Sequence, residues 1–467
     1  MIKNSNRRIK VCYLLKSLAT IVSLNKNSTI AVISIWVFIL LLFTDLYVSS
    51  VTDVANPFIQ STAGGALFTS LIILSLFGSL VVMSSIWKII DKKKSIFSQY
   101  KILFRFMQII LYSLSAILMI DIILAHKYYA INLTAIMIVS YGSSIIMSLF
   151  VSFKLFSWYK ENKNKFSFLF GLAIFFLFVN NLVSILLFVT LLSEKSFQVD
   201  IATPVVFNFE CGDDSLYCMF KKSVVDIQSY TLMIYFSLFW ICNYFLLHYQ
   251  IKKIGKIKFF TLITLPLILF FFVFIYHYDE LYSLTENMNV DESVVFMLQI
   301  FIVVFSIALC GILYGIGFKS VANLLKMSPH VERYLIMASY GIILIFISAN
   351  ATIIGASYPP YGIPSIIFLP FASLLFYVGV YYSIIAISND IRVRKYIKNS
   401  TYKELEIMGN LAQSQMIDNM KEKVLAMTKK YSKEIHQSSE SETMETEEDL
   451  KSYLDEAISI FNKDNKK

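Results

Sequence analysis

The chain has 467 residues, of which 57% are hydrophobic and 15% aromatic but only 16% charged, with a formal net charge of +9 and a mean hydropathy of +0.65. Soluble domains carry about 25% charged residues and disordered chains are poor in aromatics, so 40 Phe and 28 Tyr exclude both classes. The composition is that of a chain whose solvent is mostly lipid.

In residues 1–28, Arg7, Arg8, Lys10 and Lys16 are interspersed with Val11, Leu14, Leu15, Leu18 and Val22 at helical spacing. That pattern predicts a short amphipathic helix on the inner leaflet. No small-x-small cleavage site follows, so the first apolar run is expected to be an uncleaved insertion signal.

A membrane-crossing helix needs about 20 largely apolar residues, because each residue rises only about 1.5 Å. Within residues 29–390, ten stretches qualify: 30–50, 66–87, 103–125, 131–153, 168–193, 229–249, 259–278, 294–317, 334–356 and 365–388. Transmembrane strands would alternate polar and apolar positions, and a run such as Phe175-Phe176-Leu177-Phe178-Val179 does not. The predicted fold is therefore an all-α polytopic helical bundle.

Lys and Arg favour the cytoplasmic side of short loops. With ten spans and the N-terminus inside, only four of the 41 Lys and Arg fall in outer loops, against twelve Asp or Glu. This predicts a cell-membrane protein with both termini cytoplasmic. The positive balance then lies on the inner face and suits the bilayer's anionic headgroups. No basic stripe interleaved with aromatics exists to bind nucleic acid.

Ionisable groups inside spans are costly and so are functional candidates. Asp45 and Asp121 lie about one turn inside the outer ends of spans one and three. They read either as rim carboxylates reaching water or, with Asp53, as an outer-rim cation or proton site. Asn180, Asn181, Asn243 and Asn350 read either as amides bonded between helices or as the lining of a polar cavity. Ser140, Ser144, Ser148 and Ser152 recur every fourth residue, and Gly311 and Gly315 form a GxxxG pair. Both patterns predict close helix packing. Pro266 should kink span seven. Ser140-Tyr141-Gly142 recurs as Ser339-Tyr340-Gly341, a short match between spans four and nine.

Cys211 and Cys218 sit seven residues apart in the longest outer loop. An oxidising exterior favours a disulfide there over a metal pair, since no His or second Cys pair accompanies them. His126, His248, His277, His330 and His436 form no HExxH, and the chain has no GxSxG, P-loop or GxGxxG motif. No catalytic residue, metal site or cofactor is expected, and the protein is read as non-enzymatic.

Residues 391–467 form a cytoplasmic tail. Residues 402–435 predict a helix in which Ile417, Met420, Val424, Met427 and Tyr431 alternate three and four apart, a coiled-coil seam. Two heptads are too few to stand alone, so the seam is expected to meet a membrane surface or a partner helix, the latter from a cytoplasmic protein or a second copy through residues 402–461. An acidic stretch follows, then Leu450, Tyr453, Leu454, Ala457, Ile458 and Phe461 on one helical face.

Around the last span the chain reads Ala356-Ser357-Tyr358-Pro359-Pro360-Tyr361-Gly362, then Ser388-Asn389-Asp390, and later Glu447-Glu448-Asp449-Leu450. This resembles a group of uncharacterised archaeal multi-pass membrane proteins with a Pro-Pro-aromatic-Gly outer loop, a last span ending in a polar-Asp step and an acidic helical tail. The resemblance covers about the last 110 residues. It implies a cell-membrane protein and transfers no substrate or catalytic residue. Two functions remain: a receptor or scaffold with a docking tail, or a secondary transporter for a neutral or weakly charged solute.

Overall fold

A computed structural model describes residues 101–125, 127–193, 198–200, 216–248, 255–275, 292–355, 363–400 and 403–438, with Ile251 and part of the stretch 63–80. Span one, Asp45, Asp53, Cys211, the Pro-Pro loop and the segments 1–28 and 439–467 lie outside the described residues.

The helices are α1 (Lys101–Ala125), α2 (Ala130–Asn162), α3 (Lys165–Ser193), α4 (Leu216–Leu247), α5 (Lys256–Ile275), α6 (Glu292–Leu324), α7 (Pro329–Gly355), α8 (Ile363–Asn389), α9 (Ile391–Lys398) and α10 (Lys403–Ser438). Among the described residues, seven helices are long and apolar enough to cross a membrane: α1–α4 and α6–α8. The protein is an all-α, multi-pass membrane bundle. The described part of residues 63–80 is also helical and overlaps predicted span two. Some helices outrun their predicted spans: α2 continues nine residues past 153, and α4 begins 13 residues before 229.

α8 is the axis of the bundle. Nearly every residue from Ile363 to Ser388 is buried, which matches a helix apolar on all sides. α7 covers one face. There a Cβ on Gly379 would lie 2.3 Å from the Ala338 backbone nitrogen, and one on Gly341 would lie 2.5 Å from that of Phe376. The two backbones thus touch at reciprocal glycines. α6 packs behind α7 through the predicted GxxxG pair: a Cβ at Gly311 would meet Phe346 at 2.7 Å, and one at Gly315 would meet Ile343 at 2.5 Å. The Ser339 hydroxyl donates to the Gly315 carbonyl at 2.7 Å across the same contact.

α2 covers another face of α8 with its serine stripe. Pro370 stands inside α8 and has no N–H to offer the carbonyl of Ile366, four residues earlier. The Ser140 hydroxyl donates to that carbonyl and so repairs the break from the neighbouring helix. Ser144 pairs with Ser373 at 2.7 Å, and Ser152 donates to the Gly171 carbonyl of α3 at 2.9 Å. Ser148 is buried in the same row. The short sequence match carries into packing only in part: Ser140 and Ser339 each donate to a carbonyl of a neighbouring helix, but a Cβ at Gly142 would meet nothing within 4 Å, unlike one at Gly341.

Two short strands, β1 (Lys127–Tyr129) and β2 (Gln198–Asp200), pair antiparallel with Lys127 opposite Asp200. This ladder joins the α1–α2 connection to the segment after α3 and marks one end of the bundle, here the strand end. Burial pushes the Tyr128 phenol above its ordinary range, holding the hydroxyl neutral at physiological pH.

The other end carries the tail. Asp390 ends α8 and caps α9, accepting from the backbone nitrogens of Arg392 at 2.9 Å and Val393 at 3.3 Å. Val393 and Ile397 of α9, with Leu405, Met408, Leu411 and Ala412 of α10, belong to the same buried cluster as Trp158, Phe376 and Tyr381. The first half of the predicted tail helix is thus part of the bundle core.

Candidate functional site

Adjacent Asn180 and Asn181 lie near the middle of α3, point about 100° apart, and are both fully buried. Asn181 Nδ2 donates to Ser144 Oγ at 3.3 Å, which joins it to Ser373 and so ties α3 to α2 and α8. Asn180 Oδ1 accepts from Thr231 Oγ1 of α4 at 3.3 Å. Gln228 Nε2 donates to Ser184 Oγ at 3.2 Å, and Ser184 donates to the Asn180 carbonyl at 2.8 Å. Four helices therefore share one neutral polar network.

The network is incompletely satisfied. Asn180 Nδ2 and Asn181 Oδ1 are buried and make no hydrogen bond among the described atoms. Each orphaned amide group costs about 1–3 kcal/mol relative to a satisfied one. No formal charge is present, so the site offers only neutral donors and acceptors. A cleft of about 540 Å³ opens beside Ser328, His330, Asn389, Asp390 and Arg392, and none of its lining residues belongs to the network.

Asn243 stands apart. It lies 12 residues along α4 from Thr231, about 18 Å of helical rise. Tyr235 and Phe239 intervene on the same helix, in an aromatic cluster that includes Phe170, Tyr314 and Phe346, and Phe236 stacks on Phe270 of α5. Asn243 Nδ2 instead reaches the Cys310 carbonyl of α6 at 3.3 Å. The structure brings Asn180 and Asn181 together and leaves Asn243 outside their network. Asn350 lies on α7, and its side chain is outside the described residues.

At the strand end, Asp121 of α1 is half-buried and accepts from Asn132 Nδ2 of α2 at 3.4 Å. Asp45 and Asp53 fall outside the described residues, so their proximity to Asp121 has no geometry here. Cys218 is disulfide-bonded, and its predicted partner Cys211 lies outside the described residues. Cys242 and Cys310 are buried free thiols. Among the described residues no group of three or more His, Cys, Asp or Glu could hold a metal ion.

A second polar site lies where α10 crosses the end of α2. Trp158 is 1% exposed, and its indole N–H donates to Gln415 Oε1 at 3.0 Å, while Ser414 Oγ donates to the Trp158 carbonyl at 3.0 Å. Ion pairs flank this centre on both sides, Lys154 with Asp418 and Lys421 with Glu161, each at 2.8 Å. The Lys154 ammonium also lies 5.8 Å from the Trp158 ring centroid, within cation–π range. All four charged side chains are less than a third exposed, so they are screened less than surface pairs.

This clamp sorts the predicted tail seam. Ile417 is buried, whereas Met420 is 55%, Val424 39% and Met427 60% exposed. Tyr431 lies on α10 with its side chain outside the described residues. None of Lys154, Trp158, Glu161, Gln415, Asp418 or Lys421 emerges as a site from the sequence alone. Their signal was a polar row on each helix, Lys154–Trp158–Glu161 and Ser414–Asp418–Lys421, at helical spacing.

No protein-family model, curated protein or solved structure matches the chain.

Proposed function

We propose that the protein is a non-enzymatic receptor or scaffold of the cell membrane, with both termini cytoplasmic, whose tail helix presents a docking surface to a cytoplasmic protein. The observation that carries this reading is the division of α10. The half up to Lys421 is fastened to α2 by two ion pairs and the Trp158 hydrogen bonds, with Met420 exposed at its edge, and the half beyond Lys421 displays Met427. Exposed methionines adapt to varied apolar partners. The Lys and Arg distribution supports a cytoplasmic tail end. The resemblance to archaeal multi-pass proteins agrees with a cell-membrane location.

α2 supplies a continuous physical connection for a signal. It carries Asn132 against Asp121 at the strand end, Ser144 in the buried network, and Trp158 at the clamp. Contiguity becomes coupling only when a two-state element is biased from both ends. The test compares cross-linking and mass spectrometry in native membranes for chains ending at Ser438 and at Lys421. The shorter chain retains the docked half of α10. Partner capture by the Ser438 chain alone supports the reading, and equal capture by both defeats it.

A second reading, a transporter for a neutral or weakly charged solute, is favoured by the orphaned Asn180 Nδ2 and Asn181 Oδ1. It requires that single cysteines placed at Asn180 and Asn181 react with aqueous thiol reagents. Complete protection from both sides removes it.

A further inference from the structure

We propose that the elbow between α8 and α9 holds the headgroup of an anionic phospholipid, with the exposed face of α9 lying in the headgroup layer. The site is separate from the exposed half of α10 and does not depend on what docks there.

α9 has two faces. Val393 and Ile397 are buried in the bundle core. Ile391, Arg392, Lys395 and Tyr396, related by steps of three and four residues, share the opposite face and are all exposed. Ile391 is 71% exposed although it stands only two residues beyond the end of α8, a helix long and apolar enough to cross the membrane. An isoleucine and a tyrosine set among cations suit the level where acyl chains meet headgroups.

The charge on this helix is not answered by the protein. α9 and its cap hold four cations, Arg392, Arg394, Lys395 and Lys398, against one carboxylate, Asp390. That carboxylate is already engaged. Its Oδ1 accepts from the backbone nitrogens of Arg392 and Val393 and lies 3.9 Å from Arg392 Nε. Arg394 meets a thioether, Nη1 lying 2.7 Å from Met416 Sδ, and its buried Nε has no partner among the described residues. The carboxylates at the α2–α10 crossing are paired with Lys154 and Lys421. A guanidinium does not shed its proton, and phosphate oxygens match its fork.

The cleft of about 540 Å³ beside this face is divided in its chemistry. Ser328, His330, Asn389 and Arg392 supply polar groups, alongside the engaged Asp390. α7 begins at Pro329, so its positive helix end stands at the same wall. Ala386 and Ile391 supply an apolar side, and Ala386 lies about one turn further into α8 than Asn389. A free phosphate would leave that side uncovered, whereas an amphiphile covers both. The apolar side also continues a membrane-crossing helix, which places lipid rather than an acidic protein against it.

The experiment titrates the full-length protein in mild detergent with an equimolar mixture of phosphatidylglycerol and phosphatidylcholine and counts bound lipid by native mass spectrometry. Phosphatidylglycerol should be retained in preference to phosphatidylcholine. Arg392→Ala with Lys395→Ala should weaken that retention about 25-fold, since each cation near an anionic surface contributes about fivefold. Lys423→Ala, which removes an exposed cation of α10, should leave it unchanged. No preference for phosphatidylglycerol, a preference that survives the double variant, or an equal loss in Lys423→Ala overturns the proposal. Displacement of the lipid by inorganic phosphate at matched concentration overturns lipid as the source and marks a free-anion site. A photoreactive phenylalanine analogue in place of Tyr396, in native membranes, tests the face without removing a charge. It should cross-link to phospholipid, and cross-linking only to protein, or none, also overturns the proposal.

Discussion

The two faces of α8 are held in different ways. Against α7, glycines remove side chains until backbones touch, at Gly379 with Ala338 and Gly341 with Phe376. Against α2, serines keep their side chains and spend them on hydrogen bonds, Ser140 to the Ile366 carbonyl and Ser144 to Ser373. Lipid tails are as apolar as the helices, so burial alone does not drive association in a bilayer. The glycine seam gains dispersion contact over a large area. The hydroxyl seam satisfies specific polar groups, including one that Pro370 leaves bare. The first tolerates no added atom, whereas the second tolerates loss of a partner at modest cost.

That contrast can be broken from either side. Gly379→Ala should give the largest effect, a loss of about 3 kcal/mol in unfolding of the detergent-solubilised protein, because the new Cβ meets backbone that cannot rotate away. Ser140→Ala should cost about 1–2 kcal/mol by orphaning the Ile366 carbonyl. In a Pro370→Ala background the same change should cost less, since an α8 N–H then reaches that carbonyl, and a double-mutant cycle measures the difference. Asn181→Leu should change stability by only about 0.6 kcal/mol, since the amide makes one hydrogen bond and buries an orphaned acceptor. A cost above that of Gly379→Ala would reverse the ranking of the seams.

Much of this architecture is legible in residue order. Runs such as Phe175–Val179 and the alternation of basic loops specify a helical membrane bundle, and the spacing of Ser140 to Ser152 and of Gly311 with Gly315 marks real packing faces. Gly341 and Gly379 are less legible because each is a lone glycine whose partner backbone lies on another helix. The Ser140–Ile366 contact joins residues 226 positions apart, and Trp158 meets Gln415 across 257 positions. No local period reports such meetings. Hydropathy also ends span four near residue 153, just where α2 begins to carry Lys154, Trp158 and Glu161. A polar helix end resembles a loop to any scale that counts only apolar residues.

The asparagines show the same limit. Composition groups Asn180, Asn181 and Asn243 as polar residues of adjacent spans, but helical rise separates Asn243 from the others by an aromatic layer. The tail seam is split for a related reason. The heptad pattern continues through Ile417, Met420 and Val424, while the surface that α10 meets ends near Lys421.

The central claim is that residues 403–421 of the tail are fastened to α2, and a charge swap tests it most directly. Limited proteolysis of the full-length protein in membranes should cut α10 beyond residue 421 and spare residues 403–421. Asp418→Lys should expose that protected half, because Lys154 then faces a like charge. Adding Lys154→Asp should restore protection by rebuilding the pair in reverse. Cleavage within 403–421 of the unaltered protein as fast as beyond 421, or no rescue by the double swap, would contradict the account.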